Sequence, residues 1–181
     1  LKVRKTTTPI FGIDSDEFDD HNFVIAIDRV CRGNGTANSR ASFGVFWGEG
    51  AAFNFSGLLP RYFPQTNQVA EVYAAIQALQ EAQTRLELRE GCVCKVLILT
   101  DSSYLVKGIS DWIWKWKVNE YRNSRNQPVV NGNLFAQLNE LVYVFESQDI
   151  PVWLRHVRRE FNQAADALRN QFSNCWRRVN L

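Results

Sequence analysis

Apolar and polar positions along the chain follow two different periods. The first apolar block, Phe23-Val24-Ile25-Ala26-Ile27, is short and continuous and predicts a buried strand that ends at Asp28. Turn formers crowd residues 32–39, among them Gly33, Asn34, Gly35 and Ser39, and predict a loop. Phe43 to Trp47 and Ala51 to Leu58 predict two further strands, joined as a hairpin by Gly48-Glu49-Gly50. After Pro60 and Pro64 the period lengthens. Val69, Val72, Tyr73, Ile76 and Leu79 recur at helical spacing with alanines between them, which predicts a helix over 67–88 that Gly91 ends. Lys95 to Thr100 is continuously apolar after its first residue and predicts a strand buried on both faces. Short helical segments follow over 102–117, then a polar, basic loop to about Asn131. A helix over Leu134 to Phe145, a strand over Val152 to His156 and a last helix over Gln163 to Trp176 complete the series.

Hairpin-linked strands followed by helix-linked strands imply an α/β chain with a five-stranded mixed sheet and helices on its faces. Residues 1–20 show no apolar period and read as a flexible, acidic lead-in carrying Asp14, Asp16, Glu17, Asp19 and Asp20. Residues 21–181 then form one domain, with no internal repeat or linker to divide them. A hydrophobic fraction of 45% excludes a disordered chain. No apolar run approaches the roughly 18 residues of a membrane helix, and no secretory signal is visible, so a soluble protein with no membrane partner is expected. The chain starts at Leu1 and contains no Met, which points to a piece of a longer protein.

Cys31, Cys92, Cys94 and Cys175 form neither a zinc pattern nor a disulfide framework; free thiols in a reducing, intracellular compartment are expected. The net charge of +2 is uninformative, but its distribution is less so. Basic residues gather from Lys107 to Arg125 and from Arg155 to Arg178, which suits a phosphate backbone and equally suits a solvated surface.

Four acids stand where sheet proteins place chemistry. Asp28 and Asp101 end strands, Glu71 lies in the first turns of the long helix, and Asp166 opens the last helix. Taken singly, each has an ordinary role as a helix cap, a surface residue or a partner of a helix dipole. Brought together they repel unless a cation intervenes, and hard oxygen donors of this kind suit Mg²⁺ or Mn²⁺.

The surrounding residues make the pattern specific. Asp28-Arg29-Val30-Cys31-Arg32-Gly33-Asn34-Gly35, Gln65-Thr66-Asn67-Gln68-Val69-Ala70-Glu71 and Leu99-Thr100-Asp101-Ser102 occur in this order. Trp112-Ile113-Trp114-Lys115-Trp116-Lys117 follows the third, and the series closes with His156 through Asn162 to Asp166-Ala167-Leu168. From Phe23 to Trp176 the chain resembles the type 1 ribonucleases H. The resemblance implies a ribonuclease H-like fold, a five-stranded mixed sheet with helices on both faces. It also implies an endonuclease that hydrolyses the RNA strand of RNA/DNA hybrids. Asp28, Glu71, Asp101 and Asp166 would hold two ions, Mg²⁺ or Mn²⁺, one to activate water and one to stabilise the leaving oxygen. His156 matches a histidine that assists proton transfer or product departure.

By the same resemblance Cys31, Asn34, Asn67 and Gln68 face the RNA side of the hybrid, where 2′-hydroxyls line a shallow groove. Trp112, Trp116 and Ser124 face the DNA strand, and Thr66 and Asn131 match a phosphate pocket. The two tryptophans are four residues apart and share a face if the segment is helical. Trp114 is expected in the core. A monomeric domain, located in the nucleus or mitochondrion, is consistent with the family.

The pattern also breaks. The family has Gly after its first aspartate and then a small residue, where this chain has Arg29 and Val30. Arg155 replaces a Gly before His156, the Gly after it falls near Arg158, and Pro64 stands where the pocket has Arg. On a strand Val30 shares the face of Asp28 and Arg29 points away. If the strand instead ends at Asp28, the guanidinium can swing to the acids and substitute for a metal. A second reading follows: a catalytically weakened ribonuclease H-like domain that binds nucleic acid or protein. A transposase or integrase of the same fold is a third, set aside because the Trp-bearing loop suits a hybrid.

Overall fold

Five strands form one sheet in the order β3-β2-β1-β4-β5. They are β1 (Asn22–Arg32), β2 (Arg40–Phe46), β3 (Phe55–Leu58), β4 (Lys95–Thr100) and β5 (Val152–His156). The structure is a computed structural model and describes residues 21–36, 38–88 and 93–159. The acidic lead-in, the helix end at Gly91, the last helix and Asp166 lie outside the described residues.

Strand β1 is the point at which the sheet changes direction. It pairs antiparallel with β2 and parallel with β4. Strands β2 and β3 pair antiparallel, and β4 and β5 pair parallel. Hence the sheet is mixed, as the order of sequence periods implies. The apolar run of β4 explains its central place. Val96 and Ile98 join the core beneath the long helix, while Leu97 and Leu99 on the opposite face are also buried.

Helix α1 (Asn67–Leu88) has the bounds that its period predicts. Its alanines at 70, 74, 75, 78 and 82 are fully buried and let the helix lie close on β1 and β2. Thr66 caps it, its Oγ1 accepting from the Val69 N–H at 3.2 Å. The segment over 102–117 divides into α2 (Ser103–Lys107), a π-helical turn (Gly108–Trp112) and α3 (Ile113–Val118). Helix α4 (Gly132–Glu146) then packs against α1, through Leu134, Phe135, Leu138 and Val142 in the shared core.

Several expected boundaries differ; β2, for one, starts at Arg40 and not at Phe43. Strand β1 does not end at Asp28 but continues to Arg32, because Asp28↔Gly44 through Arg32↔Arg40 remain paired with β2. Strand β3 starts at Phe55, not Ala51, because Asn54 folds the preceding residues into the turn. Its Oδ1 accepts from the Trp47 N–H at 2.7 Å and its Nδ2 donates to the Gly48 carbonyl at 2.6 Å. No helix among the described residues is long and apolar enough to cross a membrane.

Candidate active site

Three of the four acids come together at one end of the sheet. Asp28 lies on β1, Asp101 directly follows β4, and Glu71 is carried by the second turn of α1. Alternation along β1 places Ile25, Ile27 and Arg29 on the face that α1 covers. Arg29 therefore leaves β1 on the face opposite Asp28, as strand geometry requires, and there meets Glu71, while its guanidinium stays within reach of Asp28. The guanidinium arrives there although the strand does not end, which corrects the condition set from sequence.

Arg29 Nε donates to Glu71 Oε1 at 2.5 Å, while its Nη1 lies 3.8 Å from Asp101 Oδ2 and 4.0 Å from Asp28 Oδ1. These side chains are largely withdrawn from water: Asp28 is 1%, Glu71 6% and Asp101 10% exposed, against 19% for Arg29. Ser102 Oγ donates to the other Glu71 oxygen, Oε2, and accepts from the Leu105 N–H at 3.1 Å, which fixes it at the start of α2. Both carboxylate oxygens of Glu71 are thus engaged. Burial raises the Glu71 carboxyl above its ordinary range, while Ser102 and the Arg29 charge pull it down. Burial opposes the charge on Arg29, but Glu71, Asp101 and Asp28 outweigh it and hold the guanidinium above its usual value.

Hard carboxylate oxygens from three elements, converging on one cation, have the donor chemistry of a Mg²⁺ or Mn²⁺ site. By donor type, these residues suit such an ion. No three His, Cys, Asp or Glu side chains among the described residues are arranged to hold a metal. His156 ends β5 beside Thr100, and its Nε2 donates to the Asp101 carbonyl at 3.1 Å.

The remaining expected residues surround this cluster to different degrees. Cys31 Sγ donates to the Gln65 carbonyl at 3.0 Å. Asn34 is exposed in the turn between Gly33 and Gly35, and Asn67 and Gln68 open α1. Trp112 and Trp116 do share a face, with ring centroids 5.7 Å apart; Trp116 also packs on Phe135 at 5.1 Å. Ser124 lines a shallow pocket with Val118, Arg122 and Asn126. Asn131 takes a left-handed backbone (φ 61°), and its Nδ2 donates to the Tyr104 hydroxyl at 3.1 Å. Trp114 is not in the core. It is 41% exposed, because Ile113 takes the inward position of α3, and its Nε1 donates to the Ser110 carbonyl at 3.1 Å.

Three supporting residues had no role assigned from sequence. Ser102 orients Glu71, and Tyr104 holds Asn131. Gln65 ties the entry of α1 to the sheet: its Oε1 accepts from the Ala41 N–H at 3.0 Å, and its Nε2 donates to the Pro60 and Phe63 carbonyls at 3.0 Å each. Ser102 and Gln65 lie within the motifs and were accessible as neighbours of the acids. No sequence signal pairs Tyr104 with Asn131.

The RNase H family model matches residues 20–173. Ribonuclease H1 of Mus musculus is 32% identical over 148 residues, which are 81% of this chain and 49% of that protein. Ribonuclease H of Chromobacterium violaceum is 31% identical over 155 residues, 81% of this chain and 91% of that protein. The chain thus spans about half the length of the mouse relative. Among solved structures, a foamy viral protease-reverse transcriptase in complex with RNA/DNA hybrid superposes with a TM-score of 0.61 at 20% identity, covering 82% of this chain and 19% of that one. That likeness shows the fold. Since the matched family spans the sheet, α1 and the three gathered acids alike, the chain belongs to the RNase H family.

Proposed function

We propose that the chain hydrolyses the RNA strand of RNA/DNA hybrids. The observation that carries this reading is the convergence of Asp28, Glu71 and Asp101, from three separate elements, on a single cationic group. Asp28, Glu71 and Asp101, with Asp166, would hold two divalent ions, Mg²⁺ or Mn²⁺. Such ions supply a water nucleophile at neutral pH and charge neutralisation at the leaving oxygen. Ser102 keeps the Glu71 carboxylate turned toward the cluster. His156, tethered through Nε2 to the Asp101 carbonyl and exposed to solvent, would exchange a proton with the reacting strand at its other ring nitrogen, Nδ1.

Substrate reading is assigned to the residues around the cluster. Asn34, Asn67 and Gln68, with the backbone at Cys31, present donors and acceptors suited to the 2′-hydroxyls of RNA. The Trp112 and Trp116 rings offer an apolar surface that tolerates deoxyribose. Ser124 accompanies them, and Thr66 and Asn131 serve the DNA phosphate.

One observation favours a second reading. A guanidinium among the acids suits a weakened nuclease that binds hybrids without cutting them. A labelled RNA/DNA duplex incubated with Mg²⁺ or Mn²⁺ separates the two. Cleavage of the RNA strand is expected, reduced more than about 100-fold in Asp101→Asn. Tight hybrid binding with no cleavage above that variant would establish the binding module instead.

A further inference from the structure

Arg29 stands in the place that the donor set offers to a metal, and three observations bear on what it does there. Its guanidinium pairs with three acids at once, Glu71 at 2.5 Å, Asp101 at 3.8 Å and Asp28 at 4.0 Å. It reaches Glu71 from the strand face opposite Asp28, so it closes the cluster from the α1 side. Its contact to Glu71 uses the one carboxylate oxygen that Ser102 does not engage.

Both a guanidinium and a divalent ion are attracted by these carboxylates, and each repels the other across the same few ångströms. We propose that Arg29 is a resident counter-ion that competes with divalent metal for Asp28, Glu71 and Asp101. Without metal it holds the acids together against their mutual repulsion. Metal enters as the guanidinium leaves, and its apparent affinity falls by the fraction of time Arg29 spends away. The acids stay gathered in both states, so the chain keeps its donors close together at low metal at the expense of binding strength. This inference rests on the metal reading above.

Mn²⁺ titration calorimetry and thermal unfolding of the full chain test it, with Arg29→Gly, Arg29→Gln and Arg29→Lys beside the original. The Gln variant retains a side chain of similar reach if the Gly variant does not fold. In Gly and Gln variants Mn²⁺ is expected to bind about tenfold or more tightly, as for a guanidinium withdrawn a tenth of the time or less. The same variants should melt lower in chelator and gain more from added Mn²⁺ than the original, while Arg29→Lys keeps the original's weak affinity. Equal Mn²⁺ affinity in all four overturns the competition and leaves the metal reading standing. No Mn²⁺ binding in any of them overturns the metal reading and this inference with it.

Discussion

At the scale of single residues, the two described thiols contrast sharply. Cys94 is exposed just before β4, whereas Cys31 is half-buried and donates to the Gln65 carbonyl. Burial raises the Cys31 thiol above its usual value, so it carries less thiolate at any given pH. Under limiting iodoacetamide at mildly alkaline pH, Cys94 is therefore expected to be alkylated well before Cys31, as read by peptide mass spectrometry. Equal rates would mean that the Cys31–Gln65 contact opens freely in solution. The positions of Asp28, Glu71 and Asp101 were legible in the sequence because strand and helix periods located them. The departure at Arg29 was legible too, but its destination was not. Alternation says that Arg29 leaves the Asp28 face; it does not say that α1 covers the other face and brings Glu71 there.

At the scale of elements, the π-helical turn shows a limit of periodicity. Residues 102–117 read as helical from their pattern, yet the widened turn depends on a contact from α4. A Cβ built on Gly108 would lie 2.3 Å from the Phe135 ring, so the helices approach only because that residue is Gly. Phe135 also meets Tyr104 at 5.5 Å and Trp116 at 5.1 Å, which links the turn to the aromatic face beside Trp112. Gly108→Ala is expected to destabilise the chain by about 1–3 kcal/mol, the usual cost of overpacking, measured by urea unfolding. Adding Phe135→Leu should return part of that loss, and an additive pair would place the strain elsewhere. The end of β1 was hidden for a related reason. Asp28-Arg29-Val30-Cys31-Arg32 has no strong strand signal of its own, and pairing with β2 extends it. By contrast α1 and β4 were fully legible, since a sustained apolar pattern fixes each without a partner.

For the whole molecule, a net charge of +2 conceals an uneven surface. Lys115, Lys117, Arg122 and Arg125 are all exposed on α3 and the loop after it, beside the Trp112–Trp116 face. If these cations meet the hybrid backbone, affinity falls with salt as counterions are released. Lys115→Gln with Arg125→Gln is expected to weaken hybrid binding across sequences and to reduce the slope of log affinity against log salt by about 1–2. Fluorescence anisotropy over a salt series measures it, and an unchanged slope would remove these residues from the phosphate contacts. The sheet has its own long-range consequence. Pairing of β1 with β4 stops at Ala26↔Leu99, whereas pairing with β2 continues to Arg32↔Arg40. Beyond Ala26, the stretch that bears Asp28 and Arg29 is therefore fastened along one border only among the described strands. Its stiffness is borrowed from the hairpin of β2 and β3, and substitutions out there can tune the acids without touching them.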